Sequence, residues 1–260
     1  MIETWHVFVA YQAVNAFCFL FNCWGKTLPT VATVTLYTSL VSFSVILITV
    51  PASALTHQHA KFVFATFVNN TGWASNGLAF IVGLVNTNWA FACLDSATHM
   101  AEEVHRPERI IPISIMGTVA IGFTTSWCFS LAMFFSIVGD FSDIAATPTY
   151  VPILALFHAA LRSTAGAIAL ESLILCTGFG CMIASHTWQS RLCWSFARDN
   201  GIPGGRWLGK IQPSLDVPLT AHAVSCVIVA AVGCLYLGSY TAFNRCVTSL
   251  NDSRLGLVLT

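Results

Sequence analysis

Six stretches of this chain are apolar over lengths that can cross a bilayer. They occupy residues 7–24, 33–50, 77–100, 113–138, 165–188 and 219–237, and most are punctuated by Gly25, Pro29, Pro51, Pro112, Gly139, Gly166, Pro218 or Gly238. A segment in hydrocarbon must satisfy its own backbone, which an α-helix does and an open strand does not. The expectation is therefore an all-α polytopic membrane protein with about six transmembrane helices. Composition agrees, since 8% of residues are charged and 56% hydrophobic, against about 25% charged in ordinary globular chains. Charge that sparse cannot solvate a soluble surface. A shorter run, 150–161, reads as an interfacial or re-entrant helix. The start, MIETWHVFVAYQ, lacks the basic n-region and small-residue cleavage site of an ordinary signal peptide.

The few charges carry orientation. Eleven basic and eleven acidic residues cancel, so nothing points to nucleic acid. Lys26, Arg106, Arg109, Arg191, Arg198, Arg206 and Lys210 fall after the first, third and fifth runs. The other loops between runs hold Lys61 and Arg162 together with Asp140 and Asp143. This alternation places the basic loops in the cytoplasm and the N-terminus outside. Asn69-Asn70-Thr71 is then a glycosylation sequon in an outer loop. Ten cysteines lie scattered, mostly inside apolar runs, without paired metal spacing or a dense secreted pattern. Free, buried thiols are expected, with no metal ligand set and no cofactor.

The third run is where chemistry concentrates. It turns polar in mid-span at Asn86, Thr87 and Asn88, continues through Trp89 and Phe91 to a carboxylate at Asp95, and leaves through Glu102, Glu103, Arg106 and Arg109. As one helix, 77–100 would extend roughly 36 Å. A carboxylate facing lipid costs roughly 2.5 kcal/mol or more, so Asp95 is expected to face a bundle interior or a water-filled cavity. The stretch reads as a broken helix lining a transport site.

The motif WAFACLDSATHMAEEVHRPERIIP, residues 89–112, resembles the sixth helix and following loop of amino acid/polyamine/organocation permeases. There an aromatic, a small residue, a glycine and an acid precede E-E-x-x-N-P-x-R-x-x-P. SRLCWSFARDNGIP, residues 190–203, is similar to the loop between that family's eighth and ninth helices. NNTGW, ASHTWQSR, PLTAH and YLGS-x-TAFN further resemble the fungal amino acid, choline and GABA permease branch. The similarity reaches to about Phe243 and corresponds to the fourth through ninth helices. It implies part of a fold of two inverted five-helix repeats, LeuT-like, whose first and sixth helices share the substrate site. By that resemblance Trp89, Phe91, Ala92, Cys93, Leu94 and Asp95 line one wall of the site, and the solute is an amino acid, GABA, choline or a related amine. Broken-helix ends would hold its charges. Trp89 would face its cationic group. Burial of Asp95 would favour its protonated form, letting it exchange a proton during transport. The resemblance also implies a plasma-membrane location.

Three departures stand out. Cys93 occupies the place of the family's helix-breaking glycine, and glycine best tolerates irregular backbone. Arg106 stands where the family has asparagine before the loop proline. The first three helices have no counterpart, and residues 244–260 form a polar tail in place of the tenth. The competing reading is a truncated, non-transporting remnant that recruits other helices, and the 260 residues alone are expected to insert without catalysing uptake.

Plainer readings stand beside the site assignments. Trp89 could be an interfacial belt residue and Asp95 a helix cap or brace. Glu171 reads as hydrated near the outer interface, His186 and Asn15 as packing or interhelical hydrogen-bond residues, and Arg191, Arg198 and Asp199 as cytoplasmic charge pairs. An enzyme is not expected: E-x-x-H occurs at Glu102–His105 and, outside the apolar runs, at Glu3–His6, where a di-iron bundle needs two copies inside its helices together with two further carboxylates. H-E-x-x-H and G-x-S-x-G are missing.

Overall fold

A computed structural model describes residues 3–67, 69, 72–90, 94–101, 104–149, 151–239 and 242–243. Among these the secondary structure is helical apart from one isolated bridge, Gln212 to Val217. The helices are α1 (Thr4–Asn22), α2 (Leu28–Ser53), α3 (Ala60–Ala65), α4 (Asn76–Ala90), α5 (Pro107–Phe135), α6 (Phe141–Ala145), α7 (Pro152–Leu161), α8 (Thr164–Arg198), α9 (Gly205–Leu208) and α10 (Leu219–Gly238). Short 3₁₀ helices cover Gly25–Thr27 and Leu94–Met100. Five of these segments, α1, α2 with the turn before it, α5, α8 and α10, are long and apolar enough to cross a membrane. In the third apolar run, α4 covers Asn76–Ala90 and a 3₁₀ segment covers Leu94–Met100, with residues 91–93 outside the described residues.

The helices are apolar on more than one face, as lipid requires. In α2, Ile46 and Val50 are buried while Val34, Tyr37, Val41 and Ile48 are exposed. Many hydroxyls inside the long helices are satisfied locally, although the buried Ser42 hydroxyl of α2 is not: Ser44 donates to the Leu40 carbonyl, Thr118 to Ser114, Thr124 to Ala120 and Ser172 to Ile168. Each bond reaches back one turn, which lets a hydroxyl sit in hydrocarbon without an unpaired donor.

The chain forms two compact units, residues 33–180 and residues 1–32 with 181–260. The core of the first gathers Ile46, Val50 and Ala54 of α2, Met133 and Ile137 at the end of α5, Ile144 of α6, Leu156, Phe157 and Ala160 of α7, and Ala167 and Leu170 of α8. Phe157 is fully buried, so α7 is a packed core element of this unit. Gln58 ties the loop after α2 to the end of α5 through the carbonyls of Ile137 and Gly139, at 3.1 and 3.3 Å. Glu171 differs from its expected hydrated setting: it is half-buried, and its Oε2 is shielded from solvent without a hydrogen-bond partner.

The second unit packs α10 against α1, with Cys18, Leu28 and Ile183 forming its small apolar core. At its end, residues 190–203 continue α8 to Arg198 and then cap it. Asn200 takes the left-handed conformation at φ 59°, its N–H bonds to the Ala197 carbonyl at 3.2 Å, and the Gly201 N–H bonds to the Phe196 carbonyl at 2.8 Å. This pair of bonds is a Schellman cap, which accounts for the D-N-G of the motif. Trp194 donates from Nε1 to the Gly209 carbonyl, and the Arg198 guanidinium lies 4.9 Å from the Trp194 ring. Arg198 also pairs with Asp199 at 3.2 Å, as the sequence reading anticipated.

Of the eight described cysteines, all are free, yet only Cys18 and Cys226 are buried and Cys176, Cys181 and Cys234 are exposed. Burial as a class was therefore too broad an expectation, because these helices expose apolar faces. In the sequon, Asn69 is described and hydrogen-bonds to the Trp73 carbonyl, while Asn70 and Thr71 lie outside the described residues. The tail 244–260 also lies outside them.

Candidate functional site

The expected substrate wall is reached through α4. This helix is described over Asn76–Ala90, and a 3₁₀ segment is described over Leu94–Met100. Phe91, Ala92 and Cys93 lie outside the described residues, and so does the side chain of Trp89, whose backbone belongs to the last turn of α4. On either side of residues 91–93 the described segments differ in type, α-helix before and 3₁₀ helix after. A seven-residue 3₁₀ run is itself unusual, because its hydrogen bonds are poorer than those of an α-helix and most runs stop after about three or four residues.

Leu94 is half-buried and Asp95 is exposed. The Asp95 carbonyl accepts a 2.6 Å bond from the Thr98 hydroxyl, which fixes the first turn of the 3₁₀ segment. The 3₁₀ segment packs on α5, and Asp95 is exposed within this chain. On α4, Ala79 is buried while Leu78, Phe80, Ile81, Val82 and Leu84 are exposed, so this helix offers most of its circumference to lipid or to further helices.

The loop leading into α5 contains the second departure from the permease pattern. Arg106 is the N-cap of α5 at φ 53°, ψ 60°, with Pro107 opening the helix. That left-handed conformation costs an ordinary side chain about 1–2 kcal/mol and costs asparagine less. The asparagine of the family pattern thus has a conformational reason, and Arg106 occupies the same backbone state at a higher cost. Glu102 and Glu103 lie outside the described residues.

Sequence reasoning missed how fully α1 and α10 are joined by polar groups. The Tyr11 hydroxyl donates to the Val229 carbonyl at 3.0 Å, Gln12 Nε2 to Ala230 at 3.1 Å and Asn15 Nδ2 to Cys226 at 3.1 Å. A ring nitrogen of His222 lies 3.3 Å from the Phe19 carbonyl. From Tyr11 through Asn15 to Phe19 the partners step back along α10 from Val229 to Cys226 to His222, so one face of each helix carries an antiparallel ladder. Asn22 extends this pattern to α8, donating to the Ile183 carbonyl and accepting from the Thr187 hydroxyl at 2.6 Å. The interhelical role expected of Asn15 is what the structure shows. The i, i+4 recurrence of Tyr11, Asn15 and Phe19 was the available signal.

Comparison with known proteins agrees with the helical architecture. The chain is 55% identical over 247 residues to a choline transporter of Saccharomyces cerevisiae, covering 95% of this chain and 44% of that protein. It is 37% identical to a 7-keto 8-aminopelargonic acid transporter of the same yeast, over 95% of this chain and 46% of the relative. A swainsonine transporter of Arthroderma benhamiae is 37% identical over 95% of this chain and 48% of its own length. The chain spans about half the length of these relatives. The amino acid permease family model matches residues 1–254. An integral membrane protein built from these helices, the chain belongs to the amino acid permease family.

Proposed function

We propose that this chain supplies one wall of a solute pathway through the plasma membrane, carrying choline or another small amine, with amino acids and GABA as the neighbouring class. The observation that carries the reading is the 55% identity, over nearly the whole chain, to a protein named a choline transporter. The passage from α-helix in α4 to 3₁₀ helix at Leu94–Met100 supports it physically, because irregular helix ends leave backbone dipoles that can hold a charged solute in low dielectric. In this proposal Trp89 offers its ring face to a quaternary ammonium, an interaction of about 0.5–2 kcal/mol. Phe91, Ala92, Cys93 and Leu94 shape the wall, and Asp95 carries the coupling proton. The exposure of Asp95 suits this role: once opposing helices cover it, the carboxyl meets the pathway rather than the lipid.

The test exchanges these 260 residues for the matching segment of the yeast choline transporter and expresses the chimera in cells lacking choline and amino acid uptake. Saturable choline uptake is expected, competed by structurally related amines more strongly than by neutral sugars. A chimera that reaches the surface yet carries neither choline, GABA nor any amino acid overturns the proposal.

A further inference from the structure

We propose that His186, His222 and Cys226 form a binding site for a borderline or soft transition-metal ion of the zinc class. His222 and Cys226 lie four residues apart on α10, one turn above each other on the same face. His186 reaches them from α8. The candidate ligand atoms of the three residues lie within 4.8 Å of one another. Cys226 Sγ is 3.5 Å from His186 Nδ1 and 3.8 Å from His222 Nδ1. Bond lengths of about 2.3 Å to sulfur and 2.0–2.1 Å to nitrogen, at tetrahedral angles, would separate sulfur from nitrogen by about 3.6 Å. The two observed separations bracket that value.

The surroundings complete the case. His222 Nε2 lies 3.3 Å from the Phe19 carbonyl. With the hydrogen on Nε2 donated there, the lone pair remains on Nδ1. Ligating histidines are commonly held in this way, by a carbonyl that accepts from the other ring nitrogen. Cys226 and His222 are 8% and 1% exposed, so the ligands stand in a dry setting. Asn15, 8% exposed, donates from Nδ2 to the Cys226 carbonyl, while its Oδ1 is buried without a hydrogen-bond partner. An open cavity of about 310 Å³, lined by Gln12, Asn15, Phe19 and Cys226 among others, lies beside Cys226. Two imidazoles and one thiolate favour zinc or copper(I) over magnesium or calcium. On binding, the Cys226 thiol releases its proton to solvent, the histidines stay neutral, and a divalent ion keeps one net positive charge. Because the ligands come from α8 and α10, the ion would staple these two helices.

The experiment uses the chain in lipid nanodiscs, stripped with a chelator and titrated with cobalt(II) as a spectroscopic substitute for zinc. Binding of one equivalent is expected, with a thiolate-to-cobalt charge-transfer band and visible bands of tetrahedral type. Cys226→Ser should abolish the charge-transfer band. His186→Gln and His222→Gln should each weaken binding by at least about tenfold, while Cys176→Ser and Cys234→Ser leave it unchanged. X-ray absorption on the zinc-loaded, unmutated chain reads the ligand set without relying on any variant. One sulfur with at least two imidazole nitrogens is expected. Absence of a sulfur ligand, absence of imidazole, or a charge-transfer band that survives Cys226→Ser would overturn the site and leave the contact as a thiol–imidazole hydrogen bond.

Discussion

The Tyr11 ring lies where a Cβ on Gly233 would have to stand, with Tyr11 Cε1 and Cδ1 both inside contact distance of that position. The ring cannot swing aside freely, because its hydroxyl is bonded to the Val229 carbonyl one turn away on α10. Gly233 therefore sets the closeness of α1 and α10, and that closeness brings Gln12 and Asn15 within reach of the Ala230 and Cys226 carbonyls. Small residues at such crossings are how membrane helices approach when no hydrophobic force drives them together.

Gly233→Leu is expected to destabilise the α1–α10 pair by about 1–3 kcal/mol, the usual range for forcing extra volume into a packed contact. Gly233→Ala should cost less, because better helix propensity, worth about 1 kcal/mol, offsets part of the clash. Tyr11→Phe removes one hydrogen bond and should cost only about 0.6 kcal/mol, a typical value between membrane helices. Steric-trap or denaturant unfolding in bicelles orders the three variants. A Gly233→Leu chain as stable as the unmutated one would show that α1 and α10 are not held at this distance.

Arg106 and Asn200 both adopt left-handed backbone, yet they should respond oppositely to substitution. Arg106→Asn moves to a residue that tolerates φ 53°, and a gain of about 0.5–1 kcal/mol is expected, with Arg106→Gly giving a similar result. Asn200→Ala places a Cβ-constrained residue at φ 59° within the Schellman cap and should lose about 1 kcal/mol. Thermal unfolding of the reconstituted variants measures both, and a loss on Arg106→Asn would mean that the arginine side chain contributes more than its backbone costs.

The long helices were legible because an apolar run of spanning length admits few alternatives. Runs 7–24, 33–50, 113–138, 165–188 and 219–237 correspond to α1, α2, α5, α8 and α10. The end of α8 lies beyond its apolar run, because the charged residues after Trp188 stay helical until the Asn200 cap. In the run 77–100, hydropathy alone cannot register that Leu94–Met100 is 3₁₀ rather than α-helical. Asp95 illustrates the same limit. Its place in an apolar run pointed to a bundle interior or a water-filled cavity, and which of these it meets depends on the helices that pack around it, not on sequence. The His186–His222–Cys226 group was hidden for a related reason. Only the four-residue spacing of His222 and Cys226 is local, and the approach of His186 depends on how α8 meets α10.

Orientation gives a separate prediction from the loop charges. Cysteines placed at Arg198 and Lys210 in a cysteine-depleted chain should resist an impermeant maleimide on intact cells, while one at Asp140 should react. Permeabilisation should expose the first two. Labelling at position 198 in intact cells would invert the assignment of every loop.

The proposed roles of Trp89 and Asp95 separate cleanly in the chimera that carries choline. If Trp89 supplies an aromatic face, Trp89→Phe retains a weaker version of it and Trp89→Leu retains none. The apparent affinity for choline should then fall about two- to tenfold for phenylalanine and about tenfold or more for leucine, given a cation–π contact of roughly 0.5–2 kcal/mol. A neutral substrate competing for the same pathway should be affected far less. An interfacial belt role predicts the reverse pattern, with lower surface expression and an unchanged affinity for molecules that do arrive. Asp95 is tested by charge alone. Asp95→Asn keeps the shape of the side chain and its capacity to hydrogen-bond, yet cannot exchange a proton, so uptake should lose its dependence on external pH while surface expression is retained. Asp95→Glu should keep that dependence at a reduced rate, since the carboxyl moves outward by one methylene. Unchanged pH response in Asp95→Asn would reduce Asp95 to a brace of the 3₁₀ segment and move the coupling proton to another residue.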